Sequence, residues 1–303
     1  MFNKKYNKEQ DAQIAATVQA VAEKRYKLVW RQYKKNRGAM LGLVFVLILI
    51  LIMIGTSIFL NYETDVIGMN TSQRLMKPCL EHPFGTDGYG RSVMNRVLYG
   101  TRYSFMIGFG AAAISAFFGI SLGAVAGYFG GKIEMFIMRI VEMFLMIPNI
   151  LLTIVIVAIT GISLRNLIIC FGLATIPHFT RNTRAAVMAV CNNEYVEAAK
   201  AVGVRDGVII LTHILPNALS PILVQGTIRI GTSIVGAAGF SFLGLGVPIP
   251  TPEWGSMMSE ARGYIRTHPY LILFPGLAIF LTVLSINLIG DGLRDALDPK
   301  LKR

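Results

Sequence analysis

Residues 40–60 read MLGLVFVLILILIMIGTSIFL, an unbroken run with no charged side chain. A helix rises about 1.5 Å per residue, so about 20 apolar residues cross a hydrocarbon layer of about 30 Å. The run predicts a membrane-spanning helix. The first 38 residues are polar, so the run reads as a span and not as a cleavable signal peptide.

The rest of the chain repeats that signature. Of its 303 residues 53% are hydrophobic and only 15% charged, where a soluble domain carries about a quarter charged. The mean hydropathy is +0.56. Six runs reach spanning length, near 39–60, 103–129, 135–160, 164–190, 217–245 and 270–290. The fourth is the weakest, with Arg165 near its start and Pro177, Arg181 and Arg184 in its second half. The expected fold class is therefore all-α, a polytopic integral membrane protein of about six transmembrane helices.

Charge orients the bundle. Ten of the 29 Lys and Arg residues precede the first span, and basic flanks stay on the cytoplasmic side. An even span count returns both termini there. The expected layout is a basic cytoplasmic tail over 1–38, a six-helix transmembrane domain over 39–291 and a cytoplasmic tail over 292–303. Within the domain, 61–100 forms an external loop and 191–215 a cytoplasmic loop. In the external loop Arg74, Lys77, Arg91 and Arg96 are matched by Glu63, Asp65, Glu81 and Asp87, so no basic bias opposes this layout.

The net charge of +12 has no soluble basic stripe with interleaved aromatics behind it, so anionic lipid headgroups and not nucleic acid are the expected partner. Tyr26, Trp30 and Tyr33 recur at helical spacing among basic residues. They suggest a helix lying in the membrane interface, against the alternative of a solvated tail. Cys79, Cys170 and Cys191 lack disulfide or metal spacing. His82, His178, His213 and His268 lie in four different segments, so no shared metal site is expected. In the second span Ala111, Ser115, Gly119, Gly123 and Gly127 repeat every four residues, a face for close helix packing in lipid. The pattern leaves open whether its neighbour is in this chain or in another.

The cytoplasmic loop carries Asn193-Glu194-Tyr195-Val196-Glu197-Ala198-Ala199-Lys200-Ala201-Val202-Gly203. Asn193 can cap, Glu194 suits the first turn, and Gly203 can take the left-handed conformation that ends a helix. The predicted helix, two to three turns long, is too small to bury a core alone. A partner's groove is the natural cover.

Glu197-Ala198-Ala199, then Gly203, then Leu215-Pro216 closely resemble the EAA loop of ABC importer permeases. So do His82-Pro83-Phe84-Gly85-Thr86-Asp87, His213 to Asn217, Ser241 to Gly246, Pro252-Glu253-Trp254-Gly255, Phe274-Pro275-Gly276 and Gly290 to Pro299, which are similar to the oligopeptide and dipeptide branch, including nickel permeases, and to its C-type subunit. The resemblance implies a type I importer fold and alternating access. It implies Glu194, Glu197, Ala198, Ala199, Gly203, Leu215 and Pro216 as the ATPase-coupling residues. Its implied partners are a second homologous permease, two cytoplasmic ATPase subunits, an extracytoplasmic substrate-binding protein and a peptide substrate. Nickel chelates or another small solute remain open as cargo. The expected address is the cell membrane.

Where that branch commonly places an acid before the Ser-Phe-Leu-Gly run, this chain has Ala237, and Arg229 stands midway along the same span. An intramembrane charge usually faces a cavity or a partner. Arg229 thus faces either the pathway, where it would attract a peptide carboxylate, or a structural partner. The external loop likewise reads as a contact for a binding protein or as packing over the outer mouth. A membrane-embedded enzyme would need paired acids, a Ser–His pair or a metal motif, and none is seen in the spans. An ATP-independent transporter leaves the coupling loop without a purpose. The chain has no phosphate loop of the G-x-x-x-x-G-K-[ST] type, so ATP would be hydrolysed by separate subunits, with no cofactor on this chain and no enzyme activity of its own.

Overall fold

The computed structural model describes residues 27–297. The basic positions before 27, Tyr26 and the end of the tail from 298 lie outside the described residues. Helix α1 (27–33) leads into α2 (Arg37–Phe59), then α3 (Val93–Phe129), α4 (Gly131–Leu145), α5 (Asn149–Thr160), α6 (Leu164–Cys191), α7 (Glu194–Ala201), α8 (Asp206–Phe242), α9 (Trp254–Glu260) and α10 (Tyr270–Leu297). Among the described residues there is no β-strand, only an isolated bridge between Thr86 and Ser92.

Four of these helices, α2, α3, α8 and α10, are long and apolar enough to cross a membrane, and α4 with α5 makes a fifth candidate. Two expectations change. The run 135–160 is not one straight span: α4 and α5 meet at 86°, because Pro148 supplies no N–H and disfavours helical backbone just before it. The run 164–190 is helical for 28 residues but falls short in apolar character, owing to the arginines noted above. Boundaries also move, since α3 starts at Val93, ten residues before the apolar run, and α10 continues to Leu297.

The small-residue face of α3 has its neighbour inside this chain. A Cβ on Gly123 would stand 2.6 Å from the Thr180 carbonyl oxygen, and one on Gly127 would stand 2.9 Å from that of Arg184. Gly119 similarly abuts Phe179. Lipid offers no hydrophobic drive between helices, so this close backbone approach is what holds α3 on α6. A second close approach joins α2 to α10, with Gly42 against the Ser285 carbonyl and Gly292 against Ala39. The Asn36 amide ties these helices twice, its oxygen accepting from Ala39 N at 3.1 Å and its nitrogen donating to Asp295 at 3.0 Å. Tyr33 turns into this junction, 5% exposed, and donates to the Ala39 carbonyl. Trp30 stays exposed, stacked on Tyr33 with the Lys34 ammonium 5.2 Å from its ring centre.

At the opposite end of the bundle, segment 60–92 folds over α9 and the starts of α3 and α10. Arg91 and Arg96, each 1% exposed, share Asp87 and Glu260. Two buried cations are thereby matched by two carboxylates. Trp254 is fully buried and its indole N–H donates to the Val97 carbonyl at 2.9 Å. The preceding Glu253 caps α9, accepting from Gly255 N and Ser256 N at 2.9 and 2.8 Å. Burial pushes its carboxyl up, and those two N–H groups pull it part of the way back. Gly85 and Gly90 hold φ of +75° and +77° where the loop turns tightly against its own backbone. The motif residues Phe84, Gly85, Thr86 and Asp87 are engaged in contacts within this chain.

Two outcomes follow for stability in detergent. Gly123→Val forces α3 from α6 and should cost about 1–3 kcal/mol or more, lowering the unfolding midpoint, whereas Gly239→Ala, with open space at its Cβ, should leave it unchanged. Glu260→Gln leaves Arg91 and Arg96 with one carboxylate between them and should cost about 3–5 kcal/mol, read by the same unfolding measurement.

Candidate functional site

Helix α7 begins with Asn193 in extended backbone, but the expected side-chain cap is not made: the Asn193 amide reaches the Tyr195 hydroxyl at 3.3 Å instead. The far end closes in the Schellman geometry. Gly203 stands at φ +82°, its N–H bonds the Lys200 carbonyl at 3.0 Å, and Val204 N–H bonds that of Ala199 at 3.1 Å. A helix of eight residues is thereby stopped within one turn.

One side chain fastens α7 to the bundle. Val196 is fully buried in a cluster with Phe179 and Val187 of α6 and Ile209, Ile214 and Ala218 of α8, with Ala199 and Leu215 packed at its margin. The start of α8 adapts to this seat. Residues Ile209–Ile214 form a π-helical turn, and Leu215 N–H bonds the Ile210 carbonyl. Pro216 has no N–H to offer the Thr212 carbonyl, which favours this wider register. From α3, the Tyr128 hydroxyl donates to Asp206 at 2.5 Å while the Lys200 ammonium stands 4.8 Å from the same ring centre. Tyr128, Lys200, Asp206 and Val196 therefore brace the segment, and motif reading missed them. A Tyr one residue beyond the last glycine of the α3 stripe was the available signal.

The motif residues divide by exposure. Glu194, Glu197, Ala198, Gly203 and Pro216 are exposed, as are Tyr195 and Val202, while Ala199 and Leu215 are half-buried. Val202 is 84% exposed. An eight-residue helix with one buried anchor thus leaves Tyr195, Ala198 and Val202 exposed beside the charges of Glu194 and Glu197. Arg229 lies elsewhere, thirteen positions after Pro216 and so about 20 Å along α8. It lines a cavity of about 190 Å³ with Asn149 and Ile150 of α5, Phe171 and Thr175 of α6, and Ser233. Its Nε is buried without a hydrogen-bond partner.

Residues 119–303 match a family model described as the binding-protein-dependent transport system inner membrane component, and residues 24–78 match the N-terminal TM domain of oligopeptide transport permease C. The chain belongs to this permease family. Among its relatives, the dipeptide transport system permease protein DppC of Alkalihalophilus pseudofirmus is 46% identical over 273 residues, covering 90% of this chain and 89% of the relative. DppC of Haemophilus influenzae is 42% identical, covering 90% and 94%. The glutathione transport system permease protein GsiD of Escherichia coli is 43% identical, covering 90% of each. In structure, a chain of the inward-facing MetNI methionine ABC transporter aligns with a TM-score of 0.54 at 22% identity, covering 68% of this chain and 98% of its own. That likeness extends the permease assignment to the fold. The chain is a multi-pass membrane permease of a transporter complex.

The cap at Gly203 yields a local prediction. No atom lies within 4 Å of an added Cβ there, so Gly203→Val acts through backbone strain alone, about 1–2 kcal/mol. Amide exchange over 194–203 should quicken about tenfold with the global unfolding midpoint unchanged, and Gly203→Asn should do less because Asn tolerates this conformation.

Proposed function

We propose that this permease is the C-type subunit of an ATP-driven importer of peptides, forming half of the pathway with a second homologous permease. The observation that carries the proposal is α7, a short helix closed at Gly203 and seated by Val196 on α6 and α8 with its opposite face exposed. Two cytoplasmic ATPase subunits would each receive one such helix, Glu194, Glu197, Ala198, Ala199 and Gly203 forming the docked element and Leu215 and Pro216 its joint to α8. ATP binding and hydrolysis would occur on those subunits, with no cofactor and no bond chemistry on this chain. Both termini and α7 would face the cytoplasm, since the excess of basic residues lies at that end. An extracytoplasmic binding protein would deliver cargo to the opposite end, which Asp87, Arg91, Arg96 and Glu260 keep in shape. The peptide assignment draws on the names of the relatives at 42% to 46% identity. Closure of the ATPase pair would move α7, and its anchored seat would pass that motion to the membrane helices.

The test is retention of partners. A tagged chain co-expressed with its permease and ATPase subunits should hold the ATPase through purification and support ATP-driven peptide uptake in proteoliposomes. Ala198→Arg, on the exposed face, should reduce both at least about tenfold, the effect of a misplaced charge at an interface core. Unchanged retention and uptake would remove α7 as the docking element.

A further inference from the structure

The break between α4 and α5 leaves a helix start at the edge of the bundle, with Asn149 and Ile150 exposed on one side. Pro148 occupies the N-cap position and makes no side-chain cap. Leu151 and Leu152 N–H groups bond the Pro148 carbonyl, whereas the N–H groups of Asn149 and Ile150 meet no acceptor among the described residues. Those two residues line the 190 Å³ cavity that also holds Arg229 and Ser233. Ser233 stands four positions after Arg229, hence on the same face of α8. It is 2% exposed, and its hydroxyl has no hydrogen-bond partner. A buried helical serine ordinarily returns its hydroxyl to the carbonyl four residues back, but here the Thr232 hydroxyl takes the Arg229 carbonyl at 3.1 Å.

Several unspent groups in this cavity can donate. They are the orphan Arg229 Nε, the Ser233 hydroxyl and the free N–H groups at the positive end of the α5 dipole. His178 and Arg181 of α6 stand within electrostatic reach of Arg229, and α5, α6 and the 215–242 stretch of α8 contain no acidic side chain. The buried Arg229 Nε and Ser233 hydroxyl carry the desolvation cost of donors without acceptors, which an anion entering the cavity would relieve.

We infer that the α5 start, Arg229 and Ser233 form a carboxylate-binding site within the membrane, and that it holds the C-terminal carboxylate of a peptide in transit. A broken transmembrane helix whose N-terminus faces an anionic group is an established way to bind such cargo in lipid. The guanidinium supplies the charge, the α5 N–H groups and the Ser233 hydroxyl fix direction, and a peptide is thereby read by its end and not by its side chains. The site deepens the peptide-importer reading and rests on it.

The test uses the reconstituted complex of both permeases, the ATPase subunits and the binding protein, with trialanine and trialanine amide presented at equal occupancy of the binding protein. Losing one charge-assisted contact corresponds to about tenfold, so Arg229→Gln should lower trialanine uptake about tenfold and trialanine amide uptake less than about twofold. Arg229→Lys should retain most trialanine uptake. Asn149→Asp, which places a resident carboxylate at the α5 start with Arg229 intact, should give the same selective loss. Equal loss of both substrates in Arg229→Gln and Asn149→Asp would overturn the site and assign Arg229 to an acid of the second permease. Unchanged uptake would overturn it as well. Absence of ATP-driven uptake of either peptide by the wild-type complex would overturn the importer reading, and this site with it.

Discussion

The contact between α3 and α6 is the constraint on which the rest of the structure depends. Two helices in lipid gain nothing from hiding apolar surface, so they adhere only where backbones approach closely enough for dispersion contacts to add up. Gly119, Gly123 and Gly127 give α3 that approach along the half of its length next to α7, against Phe179, Thr180, Thr183 and Arg184. Arg184 also pairs with Glu134, its Nε 2.6 Å from the carboxylate, so α4 is tied to the same place. The seat of α7 is built from this pair and α8: Phe179 and Val187 come from α6, Ala124 from α3, and Tyr128 braces Asp206 and Lys200. A displacement of α7 therefore acts on a joined α3–α6 body and not on a single helix.

The same residue type has opposite consequences in different parts of the chain, and packing explains which. Pro177, Pro221 and Pro275 sit inside continuous helices, whereas Pro148 separates α4 from α5. Helix α6 is held along its length by α3, and the lost hydrogen bond at the buried Pro177 is insufficient to part them. Helices α4 and α5 bury only Val141, Thr153 and Val157, so little holds the chain straight at Met146 and Ile147. Sequence hydropathy cannot see this difference, because it weighs composition and not neighbours. The run 135–160 therefore reads as one span.

What was legible follows the same division. The long apolar runs, the small-residue period of α3 and the left-handed need of Gly203 are local properties, and they could be read from residues 39–60, 111–127 and 194–203 alone. The matching of Arg91 and Arg96 could not. Their carboxylates are Asp87, near in sequence, and Glu260, more than 160 positions away, and counting charges within one loop pairs them wrongly. The cap expected from Asn193 is also not made, its amide nitrogen donating instead to the Tyr195 hydroxyl. The Val196 anchor is invisible in an alanine-rich motif until the cluster beneath it is known.

The distribution of polar groups through the bundle separates scaffold from working parts. At the 60–92 end Arg91 and Arg96 are paired with Asp87 and Glu260, and Ser92 caps α3 and Glu253 caps α9. Ser163, between α5 and α6, caps α6 in the same way. Such caps and ion pairs stiffen the frame. In the cavity between α5, α6 and α8 the pattern reverses: an uncapped helix start, an unpartnered Nε and an unpartnered hydroxyl face one space. Unmet hydrogen-bonding capacity is costly in a low-dielectric interior, and the Arg229 Nε and the Ser233 hydroxyl bring two such groups to one cavity, where a passing polar group would complete the structure.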